Sequence, residues 1–266
     1  MDTGLKRKPK YDAPAVRSAL RILEVLCSAG EPLGVSEISR AIHENKSMTY
    51  RLLATLRDEG WVAAEEPGPR YRVTLVPFQV VSQAIRGLDI RTAAAGPLRA
   101  LWDELGESVY LAVRHEDMAL YIEHLDSRQN VRIAGMLGGR YPLHCTAPGK
   151  VLLAHAGPAF FEQLVTKGLE RLTENTLTSP DALEEDLASV RRCGWALDNE
   201  EFGRGILCFA VPIFDHTGNV VAAIGTSVST VAQSKQTLID LLGPRIIAAG
   251  LATSQRLGGT PASSPT

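Results

Sequence analysis

Apolar residues recur at i, i+3, i+4 and i+7 through residues 15–27, as Val16, Ala19, Leu20, Leu23, Leu26 and Cys27. That spacing gathers them on one stripe of an amphipathic helix. Gly30 and Pro32 end it, and Ile38, Ala41 and Ile42 mark a second, shorter helix over about 35–42. His43, Glu44 and Asn45 read as a tight turn. Asn45 is then the N-cap of a third helix that runs to about residue 59, where Gly60 stops it. Turned at about 100° per residue, Met48, Thr49, Leu52, Leu53 and Leu56 fall on one side of this third helix. Lys46, Ser47, Tyr50, Arg51, Ala54 and Arg57 take the other. Alternation over 61–64 and 71–74, around a turn holding Pro67, Gly68 and Pro69, predicts a β-hairpin. Helix, short helix, turn, helix and hairpin is the order of a winged helix-turn-helix.

Helical spacing returns over 75–87, where Val76, Val80, Val81, Ala84 and Ile85 predict a linker helix. A further helix is predicted over 91–105, with Pro97 kinking it or marking its start. Beyond Gly106 the pattern becomes that of strands, at 109–114, 119–124 and 131–136, followed by a loop over 135–142. Helices follow at 147–156 and 160–167, and from Pro180, with Ser179 as N-cap, to about 193. Two strands, 207–214 and 220–228, make a hairpin about the turn 215–219, and a last helix covers about 234–256. The fold class is α+β. Its parts are a flexible basic arm (1–12), a winged helix-turn-helix (13–74), a linker helix (75–90), a second domain (91–257) and a disordered tail (258–266).

Composition alters this picture in two places. No apolar run approaches the roughly 18–20 residues of a membrane span, and no apolar segment follows the basic stretch Lys6, Arg7, Lys8 and Lys10. A cytoplasmic protein without a membrane partner is expected. Its four scattered cysteines, Cys27, Cys145, Cys193 and Cys208, are then free thiols. The net charge of −2 conceals an asymmetry, because residues 1–91 hold 14 Lys and Arg against 11 Asp and Glu, and the remainder 14 against 19. A mildly basic head on an acidic body suits a DNA-reading module joined to a domain with another task.

A helix of about 14 residues is ~21 Å long, enough to lie in a major groove with its first two turns against base edges. Lys46, Ser47, Tyr50 and Arg51 are therefore the base- and phosphate-facing candidates, although Tyr50 alternatively covers the edge of the small core. Ser36, at the start of the second helix, can bond a phosphate alongside free backbone N–H groups. Arg70 and Arg72 flank the wing and are placed to follow the DNA backbone or enter a minor groove, with Arg17 and Arg21 as weaker candidates. One such module makes a small interface, so a homodimer on a double-stranded operator with two half-sites is expected.

Four stretches carry a resemblance: GVSEISRAIHENKSMTYRLLATLRDEGWV, RYRVT, RYPLHCTAPGKVLLA and GWALDNEEFGRGILCFAVPIFDHTGNVVAAIGTSV. Together they resemble the isocitrate lyase regulator (IclR) family of bacterial transcription factors, over about 13–257. The resemblance implies a GAF-like effector-binding domain with a central antiparallel sheet, and dimers that often pair into tetramers. It implies an effector pocket built from the helix start at Thr146 and Ala147, from Asp198, from Cys208 and from Ser227. Met136 and Leu143, with Leu137 and Ile206, would supply its apolar walls. The chain departs from the family at Met48, where a small hydroxyl residue is usual, and at Gly225, where relatives can carry a hydroxyl. The first puts the operator sequence in doubt, and the second suggests a wider pocket or another ligand class.

Read from the residues alone, Thr146 after a Gly-rich loop makes a helix start suited to a small carboxylate or aromatic acid. Asp198 alternatively caps a turn or holds Lys150 or Arg204, and Cys208 is alternatively a small buried hydrophobe. A Cys145–His144–Asp198 nucleophile is disfavoured, because sequence neighbours on a strand face opposite sides. A zinc site from His124, His144, Cys145 and Cys208 matches no ligand spacing. No enzyme, metal or cofactor is expected. A third reading, a domain that binds only protein, is distinguished by its core: a buried polar pocket argues against it, and a filled apolar core argues for it.

Overall fold

The computed structural model describes residues 13–65, 68–85, 89–129 and 135–259, without the side chains of 81–85 and 89. The expected basic arm, residues 260–266 of the expected tail and the start of the expected strand at 131–134 lie outside the described residues. The chain divides into two compact units, Met1–Gly87 and Leu88–Thr266.

In the first unit α1 (Pro14–Ala29) opens on a proline, whose missing N–H is no loss there, and closes at Gly30 in the left-handed region. A two-residue strand, β1 (Leu33–Gly34), was not legible in the sequence and leads into α2 (Val35–Ala41). Asn45 caps α3 (Lys46–Asp58) by accepting from the Met48 N–H at 2.8 Å. The hairpin is β2 (Val62–Glu65) and β3 (Arg70–Val73), and β1 pairs with β3 to give a three-stranded antiparallel sheet in the order β1-β3-β2. Ile22, Leu26, Ile38, Ile42, Leu53, Val62 and Tyr71 form its core. Thr74 donates to the Gly60 carbonyl at 2.6 Å and accepts from the Val76 N–H, so the wing runs directly into α4 (Val76–Ile85).

The second unit begins with α5 (Asp89–Leu105), two residues earlier than expected. Pro97 lies inside this helix rather than at its start. A proline at that position leaves the carbonyl four residues earlier, on Ala93, without its helical partner. Arg256 supplies the missing donor at 3.1 Å, and Gly96 leaves the space its guanidinium occupies.

Six strands form one antiparallel sheet. They are β4 (Ser108–His115), β5 (Met118–Leu125), β6 (Arg140–Pro142), β7 (Ala196–Asn199), β8 (Ile206–Phe214) and β9 (Val220–Ser229), in the order β6-β5-β4-β9-β8-β7. β6 falls in the stretch expected to be loop, and β7 was not anticipated; at three and four residues both are too short to show a period. Alternate residues serve two cores. Tyr110, Ala112, Cys208 and Ala210 face α6 (Ala147–Ala154), α7 (Pro158–Thr166) and α8 (Pro180–Cys193). Val109, Leu111, Leu207, Phe209 and Val211 pack in the second core, with Leu98 and Leu101 of α5 and with Ile246 of the last helix.

That last helix is not continuous. After α9 (Lys235–Thr237) comes a π-helical turn, Leu238–Leu242, and then α10 (Gly243–Arg256). Pro244 has no N–H to continue the α ladder, which is a physical reason for the wider turn before it. Gly258 bridges Asp215 and the Gly259 N–H donates to the Ser254 carbonyl at 2.8 Å, so ordered structure extends two residues into the expected tail.

Candidate functional site

On α3 the two sides separate as the wheel predicts. Thr49 and Leu53 are fully buried, Met48, Leu52 and Leu56 are half-buried, and Lys46, Ser47, Tyr50 and Arg51 are exposed. Among the described residues neither Lys46 nor Arg51 has an ion-pair partner, so the cations in the N-terminal half of this face are unspent, while Arg57 further along lies 3.8 Å from Asp58. Tyr50 is 54% exposed and does not cover the core. Ser18 donates to Glu44 at 2.8 Å, which ties α1 to the turn before α3, and His43 in that turn is left-handed.

The wing arginines are partly engaged. Arg70 donates through Nε to the Pro32 carbonyl at 3.0 Å and lies 3.5 Å from Glu37, and Arg72 pairs with Glu65 at 2.5 Å. Both pairs are exposed and worth no more than ~1 kcal/mol, so a phosphate can replace either carboxylate. Ser36 is exposed at the start of α2, and Arg17 and Arg21 are exposed on α1.

In the second unit a small cavity of about 40 Å³ lies over the α6 face of the sheet. Of the expected pocket residues, Thr146, Asp198, Cys208, Ser227 and Ile206 line it. The register brings the central three together, since Asp198 pairs with Cys208 and Cys208 with Ser227 across β7, β8 and β9. Met136 and Leu137 instead stand in solvent, and Leu143 and Ala147 are fully buried in the α6 core. None of those four lines the cavity.

Five of the aromatic and imidazole groups around it were missed by sequence reasoning. Tyr121, His124, Tyr141 and Phe202 line the cavity, and Tyr110 stacks on Tyr121 behind them at 4.7 Å. Tyr121 meets Tyr141 at 4.4 Å, and Phe202 approaches Tyr141 edge-on at 5.6 Å. The available signal was the hairpin of β4 and β5, which sets Tyr110 and Tyr121 on neighbouring strands. The register shift after Leu111 that stacks them could not be read from the pattern.

Gly225 has a different role from the one expected. A Cβ there would lie 2.3 Å from the Phe209 carbonyl and 2.8 Å from the Tyr110 hydroxyl, so the ring of Tyr110 fills the space rather than the ligand. Gly225→Ser is therefore expected to destabilise the unit by about 1–3 kcal/mol through overpacking. Calorimetry would read this as a melting temperature lower by roughly 2–4 °C per kcal/mol. An unchanged melting temperature would show that both the Phe209 backbone and Tyr110 move aside freely.

Electrostatically the centre of the site is Asp198, which is fully buried. Its Oδ1 accepts from the Glu201 and Phe202 N–H groups at 2.8 and 3.2 Å, so it caps the turn after β7, the first of the alternatives above. Its Oδ2 has no hydrogen-bond partner among the described residues. Burial pushes its pKa up to about 7 in spite of those two N–H groups. Lys150 does not pair with it: its Nζ lies 2.7 Å from Glu201 and 3.0 Å from Asp186, and Arg204 pairs with Glu174. Burial also raises the Cys208 thiol, helped by the facing Asp198, while its sulfur sits 3.1 Å from the Ser227 hydroxyl.

The Asp198 pKa carries a sign that can be tested. Raised above its unfolded value of ~3.9, it means that the native state holds a proton the unfolded state has released, so stability falls as pH rises from ~4 to ~7. Asp198→Asn keeps an oxygen for the two N–H groups and removes the charge. The variant is expected to melt at the same temperature as the parent near pH 4 and above it at pH 8, by differential scanning fluorimetry. A gap that does not grow with pH contradicts the assignment.

The Cys145–His144–Asp198 arrangement is no activated nucleophile. Burial, then the Asp198 and Glu201 carboxylates, push the Cys145 thiol up to about 12, and His144 Nε2 is engaged with the Glu170 carbonyl at 2.9 Å. The described residues hold no group of three or more His, Cys, Asp or Glu suited to a metal ion. Nor is any described helix long and apolar enough to cross a membrane.

Comparison with known proteins places both units. Residues 15–66 match the IclR helix-turn-helix domain, and residues 82–255 match the bacterial transcriptional regulator IclR C-terminal domain. The transcriptional regulator KdgR of Escherichia coli K12 is 36% identical over 228 residues, which cover 84% of this chain and 86% of KdgR. The IclR structure from Thermotoga maritima superposes with a TM-score of 0.78 at 28% identity, covering 91% of this chain and 98% of that one. An IclR homologue from Microbacterium hydrocarbonoxydans, solved with 4-hydroxybenzoate, shares the fold at a TM-score of 0.80 and 24% identity, covering 91% and 98%. With a helix-turn-helix in front, a six-stranded antiparallel sheet behind and both matched by the same family, the chain belongs to the IclR family of bacterial transcriptional regulators.

Proposed function

We propose that the first unit reads double-stranded operator DNA in a sequence-specific manner, and that a small molecule in the Asp198 cavity modulates that binding. The observation that carries the first half is the unspent face of α3. Its 13 residues give about 20 Å of helix, with Lys46, Ser47, Tyr50 and Arg51 exposed together at the end that enters the groove. Ser36, Arg70 and Arg72 hold the phosphates on either side of it. These residues position and read, respectively, as phosphate and base-edge contacts do in other helix-turn-helix proteins.

The second half rests on the buried polar row Thr146, Asp198, Cys208 and Ser227 beside aromatic walls, which a domain binding only protein has no need of. The effector we favour is a small carboxylate or an aromatic acid, the class to which the ligand of the M. hydrocarbonoxydans homologue belongs. The working form is a homodimer or a dimer of dimers in the cytoplasm. Val16 and Leu20 on α1, and Phe78 and Val80 on α4, are large apolar residues left more than half exposed in the first unit, and they suit a contact with a second copy. The four free cysteines suit a reducing compartment.

A mobility-shift assay on DNA from upstream of the protein's own gene, across a salt series, tests the reading. Specific retardation that weakens linearly in log affinity against log salt is expected, because bound phosphates release counterions. Equal affinity for operator and unrelated fragments at every salt concentration would overturn the sequence-specific part.

A further inference from the structure

We infer that the groove along the free edge of β7 is a second ligand site, which takes an α-amino acid with an apolar side chain and pairs its main chain with that of Leu197. The site is separate from the Asp198 cavity, and no residue lines both.

The groove holds about 550 Å³ and is lined by residues of α8, β7 and the last helix. β7 is the end strand of its sheet, so one edge has no neighbouring strand. The ladder fixes which backbone groups face that way. The Glu200 N–H donates to the Ile206 carbonyl at 3.0 Å, in register with the Asp198–Cys208 and Ala196–Ala210 pairs. Bonding alternates along an antiparallel pair, so Leu197 and Asn199 turn their backbone groups outward. Those of Asn199 are taken, since its carbonyl accepts from Asn175 Nδ2 at 3.1 Å and its N–H donates to Glu201 Oε1 at 3.4 Å. Leu197 has no such partner among the described residues, which leaves its N–H and carbonyl for a guest. One amino acid laid opposite it exchanges both hydrogen bonds, as a residue of an added strand does.

Charge along the groove supplies both ends of that guest. Lys150 is shared by Glu201 and Asp186, one ammonium between two carboxylates, and both acids line the groove. The Glu201 side chain is only 7% exposed, and its Oε2 has no hydrogen-bond partner among the described residues. A buried polar group in that condition points to a missing partner. Burial raises the Glu201 pKa and Lys150 opposes the rise. An arriving α-ammonium acts in the same sense as Lys150, so the carboxylate form prevails and any proton passes to solvent. Lys235, at the start of the last helix, also lines the groove, exposed and without an ion-pair partner among the described residues. It receives the α-carboxylate. Half-buried Trp195 and Ile239 cover an apolar side chain, and Ile239 belongs to the π-helical turn, a feature that recurs at functional sites.

Equilibrium dialysis of the full chain against radiolabelled L-leucine tests the site. The competitors are 3-methylbutylamine and 4-methylpentanoate, each of which lacks one charged group of leucine. Leucine is expected to bind, and each competitor to bind about 10-fold or more less tightly, because it forfeits a charge-assisted hydrogen bond. Lys235→Ala is expected to weaken leucine binding by about 10-fold at an unchanged melting temperature, since that side chain is exposed. Asp186→Asn is expected to weaken it by at least as much, while Lys150 keeps its bond to Glu201. No leucine retained at millimolar concentration overturns the inference. Leucine that binds both variants as well as it binds the parent lies elsewhere and overturns it too, as does a competitor that matches leucine.

Discussion

Arg51→Ala is expected to lower specific operator affinity by about 30-fold or more while the melting temperature stays where it is. A bidentate arginine–guanine contact is worth about 1–3 kcal/mol, and a dimer makes it once in each half-site. Nothing inside the protein depends on the guanidinium, because Arg51 is exposed and has no ion-pair partner among the described residues. Alanine is also the stronger helix former, so α3 is not weakened. Fluorescence anisotropy with operator DNA, beside a thermal melt, separates the two effects. Normal binding by the variant would mean that another face of α3 meets the groove.

The largest stability effect belongs to Lys150, which is 1% exposed. In Lys150→Ala the carboxylates of Glu201 and Asp186 lose the ammonium that lies between them. Breaking a buried pair by removing one partner costs about 3–5 kcal/mol, since the remaining charge stays buried and uncompensated. In the intact protein the two carboxylates outweigh the burial of Lys150 and raise its pKa, while burial raises that of Glu201 even so. Without the lysine the buried Glu201 carboxyl holds its proton to still higher pH. Its penalty is then absent below the unfolded carboxylate pKa and grows as pH rises from there toward the folded one. The deficit of Lys150→Ala, measured by chemical denaturation, is therefore expected to be smaller at pH 5 than at pH 8. A variant as stable as the parent at pH 8 would show that water reaches these carboxylates.

Where the chain repeats a period over several turns, its structure was legible. The stripe of α3 commits its face to the core where the pattern puts it, and the hairpin of β8 and β9 forms close to the expected bounds. By contrast, α1 forms as a helix but buries Ser18, Ile22 and Leu26 and leaves Val16, Leu20 and Cys27 of the expected stripe exposed. Illegible elements have physical reasons. β1 is two residues long, and β6 and β7 are edge strands too short to alternate visibly. The break in the last helix depends on one proline, Pro244. In the cavity, Asp198, Cys208 and Ser227 meet only because three strands fix their register. The aromatic wall depends on a register shift between β4 and β5, and a shift of one residue exchanges the faces of a strand. The resemblance put Met136 and Leu143 in the apolar walls of the pocket, yet one is in solvent and the other in the core. Hydrophobicity says that a residue prefers burial and does not say against what.

The proposed coupling joins DNA reading by the first unit to ligand binding by the second. It is tested most directly by measuring ligand affinity with and without saturating operator DNA, together with operator affinity with and without saturating ligand. Linkage requires the two affinities to change by the same factor, typically 5- to 150-fold. A common factor in that range is the predicted result. A ligand that binds the cavity and leaves operator affinity unchanged would contradict it, because equal affinity for both forms shifts nothing.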